Sequence, residues 1–153
     1  MDVLLTVAGL LLFLLLTFGT GVAVAAEFSL TALERSAVEA NVKQVGDRRS
    51  KTLLAAHRSL SFQLSGAQIA ITLTTLISGF LAEPIIGELL QPLLAGIGMP
   101  DAAARATSLT LAVLIATALS MIFGELVPKN LAIARPLPTA RAVIGYHARF
   151  SAV

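Results

Sequence analysis

Residues 3–26, VLLTVAGLLLFLLLTFGTGVAVAA, are 24 consecutive positions without a charged side chain. As an α-helix this run rises about 36 Å, enough to cross a hydrocarbon core of about 30 Å. A signal peptide is the competing reading, because Ala23-Val24-Ala25 has the small-x-small form of a cleavage site. The start Met1-Asp2 carries no Lys or Arg, and the run exceeds the roughly 7 to 15 apolar residues of a signal core. The stretch therefore reads as a first membrane span, and the fold as an all-α membrane protein.

Composition agrees. Of 153 residues, 56% are hydrophobic and 13% charged, with a mean hydropathy of +0.86, against about 25% charged in a soluble domain. Cysteine is absent, which removes disulfides and thiolate metal sites. There is no Gly-rich phosphate loop, HExxH pair or Gly-x-Ser-x-Gly elbow, so no enzyme is expected.

Beyond Ala26 the chain becomes charged. Leu30, Leu33, Ala37 and Ala40 recur at helical spacing opposite Glu34, Arg35 and Glu39. Gly46 is expected to stop this amphipathic helix and Asp47 to cap the next, which carries Leu53, Leu54 and Leu60 behind Arg48, Arg49 and Lys51. A helical hairpin in water and one lying on anionic lipid both fit. Phe62 to Ala82 reads as a second span, with Ser61, Ser65, Gln68, Thr72 and Thr75 on one face. Helix packing explains the hydroxyls, whereas the costlier Gln68 amide fits a site-facing role equally well. Glu83-Pro84 is expected to end that helix, and 84–100, broken by Pro84, Pro92, Gly96, Gly98 and Pro100, to form an interfacial or re-entrant piece. Asp101 is the expected cap of the third span, at about 103–127. The tail, about 139–153, reads as an inner-surface helix with Val143, Ile144 and Phe150 on its apolar edge beside Arg141, Tyr146, His147 and Arg149. The other inner-face helices fall within about 29–58. Both His57 and His147 are expected at the surface.

Of the 11 Lys and Arg, ten lie between the first two spans or after the third, and only Arg105 on the other side. The positive-inside rule then places those two segments in the cytoplasm and the N-terminus outside.

The third apolar run ends in Gly124-Glu125-Leu126-Val127-Pro128-Lys129. A carboxylate within a bilayer helix usually faces protein and carries function. Pro128 lacks an N–H and its ring clashes with the carbonyl four residues back, that of Gly124. A loosened carbonyl beside an acid is how membrane proteins build cation sites from broken helices. Spans one and three end on the inner side where span two begins, so Glu27, Glu125, Ser65, Gln68 and Thr72 share one end of the bilayer. Such an all-oxygen set suits Mg2+, Ca2+ or Na+ rather than Zn2+ or copper, and two carboxylates balance one divalent ion. The competing reading of Glu125 is an ion pair with Lys129. That of Glu27 is a solvated residue just past the span.

Three stretches carry a resemblance: Ala25-Ala26-Glu27-Phe28-Ser29-Leu30, Gln68-Ile69-Ala70-Ile71-Thr72, and Gly124-Glu125-Leu126-Val127-Pro128-Lys129-Asn130-Leu131-Ala132. Together they resemble the DUF21 transmembrane domain of the CNNM/CorC magnesium transporters, including bacterial hemolysin-like members. The Gly-Glu-x-x-Pro-Lys element is the most specific of the three. The resemblance implies a homodimer of three-span subunits in a bacterial plasma (inner) membrane, with a juxtamembrane helical belt. It implies export of Mg2+, with Na+ as coupling ion, and cytoplasmic CBS domains that lie outside this sequence. No nucleic-acid partner is expected. By position, Glu125 is the leading ion ligand, Gly124 offers backbone oxygen, and Gln68 or Thr72 contributes from span two. Many relatives carry an oxygen-bearing side chain in the turn before Glu27. Here Val24, Ala25 and Ala26 supply none, leaving Ser29 or Thr20 to substitute. A membrane-anchored Mg2+ sensor that binds without transport is the alternative function.

Overall fold

The computed structural model describes residues 3–150, and of 146–150 the backbone alone. These residues form helices joined by short turns. Helices α1 (Val3–Ala32), α2 (Arg35–Gln44), α3 (Arg48–Arg58) and α4 (Leu60–Gly96) are followed by a rod built from α5 (Asp101–Leu119), a π turn (Ser120–Leu126) and α6 (Val127–Ala134), and by α7 (Pro136–Phe150). Three stretches are long and apolar enough to cross a membrane: Val3–Ala32, Leu60–Gly96 and Asp101–Ala134.

The spanning helices meet through small residues. On α5, Ala104, Ser108, Ala112 and Ala116 recur every fourth position and are all buried, forming a flat stripe that lets α4 approach. Phe13 of α1 completes this packing with Ala82 and Ile86 of α4. Gly87 allows a close approach here: a β-carbon on it would stand 3.0 Å from a Leu109 methyl, which would have to give way. The opposite faces, with Leu4, Leu14, Phe80 and Leu114, are exposed and apolar, as surfaces meeting lipid are.

The second span departs from expectation. Glu83-Pro84 does not end it: α4 runs unbroken through Pro84 and Pro92 for 37 residues. Each proline costs a backbone hydrogen bond, yet membrane helices tolerate this where neighbours pack around the break. Ile85, Ile86 and Gly87, just past Pro84, are buried. No interfacial piece follows; the turn comes at Gly98, whose φ of +93° is a conformation that favours glycine. Asp101 is not the cap of α5 either. Pro100 occupies that position, and Asp101 lies in the first turn, where its charge favours the helix dipole.

The register of α4 against α1 has a larger consequence. The two are antiparallel, with Thr20 hydrogen-bonded to Thr74 and Gly9 touching Ile85. Glu83 therefore stands roughly level with Leu11, inside the first span in the half away from the belt, and not at the end of the second.

At one end α2, α3 and α7 form the expected belt. Leu30, Leu33, Val38, Leu53, Ala56, Ala140 and Ile144 share one core. Gly46 has φ +64° and Asp47 caps α3 through the Ser50 N–H at 2.8 Å, both as the sequence indicates. Arg141 of α7 reaches across to Asp47 (2.6 Å), Asn41 (2.8 Å) and Ser50 (2.7 Å). His57 is not simply a surface residue: it is half-buried, and its Nε2 lies 3.0 Å from the Leu33 carbonyl, where α1 breaks. The side chains of Tyr146, His147, Arg149 and Phe150, and all of residues 151–153, lie outside the described residues.

Candidate cation site

The third rod changes hydrogen-bond register where the sequence sets an acid before a proline. Through Ser120–Leu126 the turn is π, and the Val127 N–H bonds to the carbonyl of Ile122, five residues back. Pro128 follows at the start of α6 with no N–H to give. The wider turn is thus the local answer to a donor missing from the ladder, and such turns occur often at functional sites.

Two glycines let this turn press on α1. A β-carbon on Gly21 would lie 3.2 Å from the Phe123 carbonyl oxygen and 3.4 Å from Pro128 Cγ. One on Gly124 would meet the Thr17 carbonyl and Thr20 at 3.6 Å. Backbone oxygen of the π turn is thereby aimed at α1 beside a cluster of hydroxyls.

That cluster lies between α1 and α4, with Thr20 buried and Thr74 half-buried. Thr20 Oγ1 lies 2.7 Å from Thr74 Oγ1, 3.0 Å from the Leu16 carbonyl, and Thr74 Oγ1 2.8 Å from the Ala70 carbonyl. One of the two hydroxyls donates to the other, leaving oxygen lone pairs of both at the contact. One turn further along the same antiparallel interface come Thr17 and Ser78. Their hydroxyls are buried, and neither has a hydrogen-bond partner. A buried hydroxyl left unpaired costs roughly 1 to 3 kcal/mol, so both need an account.

The residues singled out from sequence are mostly gathered nearby. Glu27, Ser65, Gln68, Thr72 and Glu125 line one open cavity of about 800 Å³, with Lys129 and Phe28 at its wall. Gly124 is buried beneath it against α1. Ser29 lies apart: it is wholly buried, does not line the cavity, and donates to the Ala26 carbonyl at 3.2 Å. Of the two substitutes in α1, only Thr20 faces the π turn. Among the described residues no salt bridge joins Glu125 to Lys129; the Lys129 ammonium instead sits 4.6 Å from the centre of the Phe28 ring. Nor do any three His, Cys, Asp or Glu among these residues come together as a metal-holding group. The oxygens on offer are hydroxyls, an amide, carbonyls and single carboxylates, which are hard-cation ligands.

Thr17, Thr74, Ser78 and Gly21 were not singled out from sequence. The conspicuous polar face of α4, through Ser65, Gln68 and Thr72, drew attention from a quieter one on which Ala67, Thr74, Ser78 and Ala82 recur at helical spacing. Small residues at that spacing mark a helix contact, and the hydroxyls among them are the available signal.

Fold and site together define a multi-pass helical membrane domain. The chain belongs to the CNNM family: the model of the cyclin M transmembrane N-terminal domain matches residues 10–153. Its relatives include UPF0053 protein MT1890 of Mycobacterium tuberculosis, 56% identical over 95% of this chain and 32% of that protein. A second protein of that organism, the uncharacterized protein MT1889, is 37% identical over 94% of this chain and 39% of its own length. UPF0053 protein YhdT of Bacillus subtilis is 36% identical over 72% of this chain and 24% of its own length. The chain thus spans about a third of the length of the first two.

Proposed function

We propose that this domain moves Mg2+ across a bacterial inner membrane by alternating access, as an exporter coupled to Na+ entry. The observation that carries the reading is the hydroxyl cluster of Thr17, Thr20, Thr74 and Ser78, two of them unpaired, against a π turn bearing Gly124 and Glu125. A desolvated cation needs several oxygens fixed in place. The Thr20 and Thr74 hydroxyls, hydrogen-bonded across the α1–α4 contact at 2.7 Å, are two such oxygens on facing helices. Glu125 supplies negative charge, and the cavity holding Glu27 and Gln68 supplies an entrance from the belt side. Family membership supports the choice of a divalent cation, and the positive-inside rule supports a cytoplasmic belt.

In this reading the protein works as a homodimer, and the longer chain carries cytoplasmic CBS domains beyond α7. The test is the full-length protein in liposomes loaded with Mg2+, with and without a Na+ gradient. Expected is Mg2+ release that depends on Na+ and is lost in Glu125→Ala and Ser78→Ala. Mg2+-dependent thermal protection with no release would instead make the domain a sensor. Release undiminished in both variants would remove this site from the mechanism.

A further inference from the structure

Glu83 is a second carboxylate within the membrane-spanning helices, exposed on the protein surface toward an open cavity. The α1–α4 register sets it level with Leu11, inside the first span in the half away from the belt, and ionisable side chains within a span mark ion paths or paired charges. Among the described residues it has no salt bridge. The next residue is Pro84, inside the helix, so the Phe80 carbonyl four residues back loses its usual donor. An acid beside a loosened carbonyl thus occurs twice in this chain, at Glu125 with Pro128 and at Glu83 with Pro84.

The two acids share a cavity. A space of about 370 Å³ between α4 and α5 is lined by Glu83, Glu125, Thr75, Thr117 and Ser120, among others. Among the described residues, Glu125 alone lines both this space and the larger cavity holding Glu27 and Gln68. Their order along the helices is fixed. On α4 the larger cavity uses residues 65–73 and the smaller one 75–83, further from the belt. On the third rod the smaller cavity uses residues 113–121, on the Asp101 side of Glu125. The two cavities follow one another along α4, with the Glu125 carboxylate lining both.

We propose that the α4–α5 cavity is the outer half of the cation path, that Glu83 is its cation-binding carboxylate, and that Glu125 is the partition between the two halves. The proposal rests on the transport reading above. It adds the route by which a cation leaves the hydroxyl site toward the face opposite the belt. A carboxylate with hydroxyls on adjacent helices suits a hydrated or partly hydrated cation, since such ligands accept from its waters.

The absence of cysteine from these 153 residues makes accessibility the direct test. Thr117→Cys and Gln68→Cys are placed singly in the full-length protein, with any cysteine beyond residue 153 replaced, and treated in sealed vesicles of known orientation with a membrane-impermeant thiol reagent. Expected is labelling of Thr117→Cys from the face opposite the belt only, and of Gln68→Cys from the belt face only. Mg2+ flux of Glu83→Gln is expected to fall about tenfold or more while Mg2+-dependent thermal protection remains, and Glu83→Asp to recover part of the flux. Labelling of Thr117→Cys from the belt side, or from neither side, overturns the outer path. So does wild-type flux in Glu83→Gln, or loss of its Mg2+ protection. If the unmodified protein shows no flux, transport fails by itself, and the labelling pattern still decides whether this cavity opens outward.

Discussion

The belt and the membrane bundle treat their polar side chains in opposite ways. In the belt, Asp47, Asn41, Ser50 and Arg141 bond to one another, and His57 meets the loose Leu33 carbonyl. In the bundle, Thr17 and Ser78 are buried without partners, and Glu125 stands between two cavities without a salt bridge among the described residues. A polar network closed on itself specifies structure. An open one in a low-dielectric interior stores binding capacity, because each unpaired group is costly until a ligand reaches it.

The sharpest way to break that contrast is at Glu125. Glu125→Ala is expected to reduce Mg2+ flux by more than about 100-fold, given that even outer-shell partners of a metal cost about 10 to 100-fold in affinity. Its ion-free melting temperature should stay near that of the unmodified protein, since the side chain is exposed to the cavities. A large fall in melting temperature would mean that the acid is structural, like the belt.

Next in size is Gly21→Ala. The new β-carbon meets the Phe123 carbonyl at 3.2 Å, and overpacking of that kind costs about 1 to 3 kcal/mol. Gly19→Ala, with nothing within 4 Å, serves as its control and is expected to leave thermal stability unchanged or slightly raised. Equal effects at the two glycines would dissolve the close crossing at the π turn.

The hydroxyls sharpen the comparison with a change of sign. Thr17→Val keeps the shape and removes an unpaired polar group, so the ion-free protein should become more stable by about 1 kcal/mol, while its stabilisation by Mg2+ shrinks. Ser50→Ala in the belt removes a bonded hydroxyl and should destabilise with or without Mg2+. Differential scanning fluorimetry in detergent, with and without the ion, reads both.

The smallest effect is a pH dependence confined to the belt. Hydrogen bonds from Arg141 and Ser50 hold the Asp47 carboxyl well below the usual carboxylate range. A depressed folded-state value stabilises fully above the ordinary Asp value of about 4 and loses that contribution as pH falls through the folded-state value. Protection factors of the α7 amides, taken against the intrinsic rate at each pH, should therefore fall below about pH 4, and Arg141→Ala should lower them already at neutral pH. An unchanged exchange rate in that variant would show that the apolar core alone holds α7.

Much of this molecule is legible along the chain. Three apolar runs, the stop at Gly46, the cap at Asp47 and the break near Pro128 rest on interactions within a few residues. So does the gathering of Glu27, Ser65, Gln68, Thr72 and Glu125, because helical periodicity and the antiparallel order of the spans are enough to bring them to one end. Glu83-Pro84 shows where that reading stops. A proline is a local signal for a helix end, yet with Ile85, Ile86 and Gly87 packed in the bundle α4 continues through it.

What the sequence determined by itself was the set of membrane helices and the belt, since hydrophobic length and turn chemistry are local properties. What only the tertiary structure decided was depth and partnership. The level of Glu83, the pairing of Thr20 with Thr74, the orphaned Thr17 and Ser78 hydroxyls and the approach of Gly21 to the π turn all depend on the register between helices far apart in sequence. Interlocking small side chains set that register, and hydropathy is nearly blind to them.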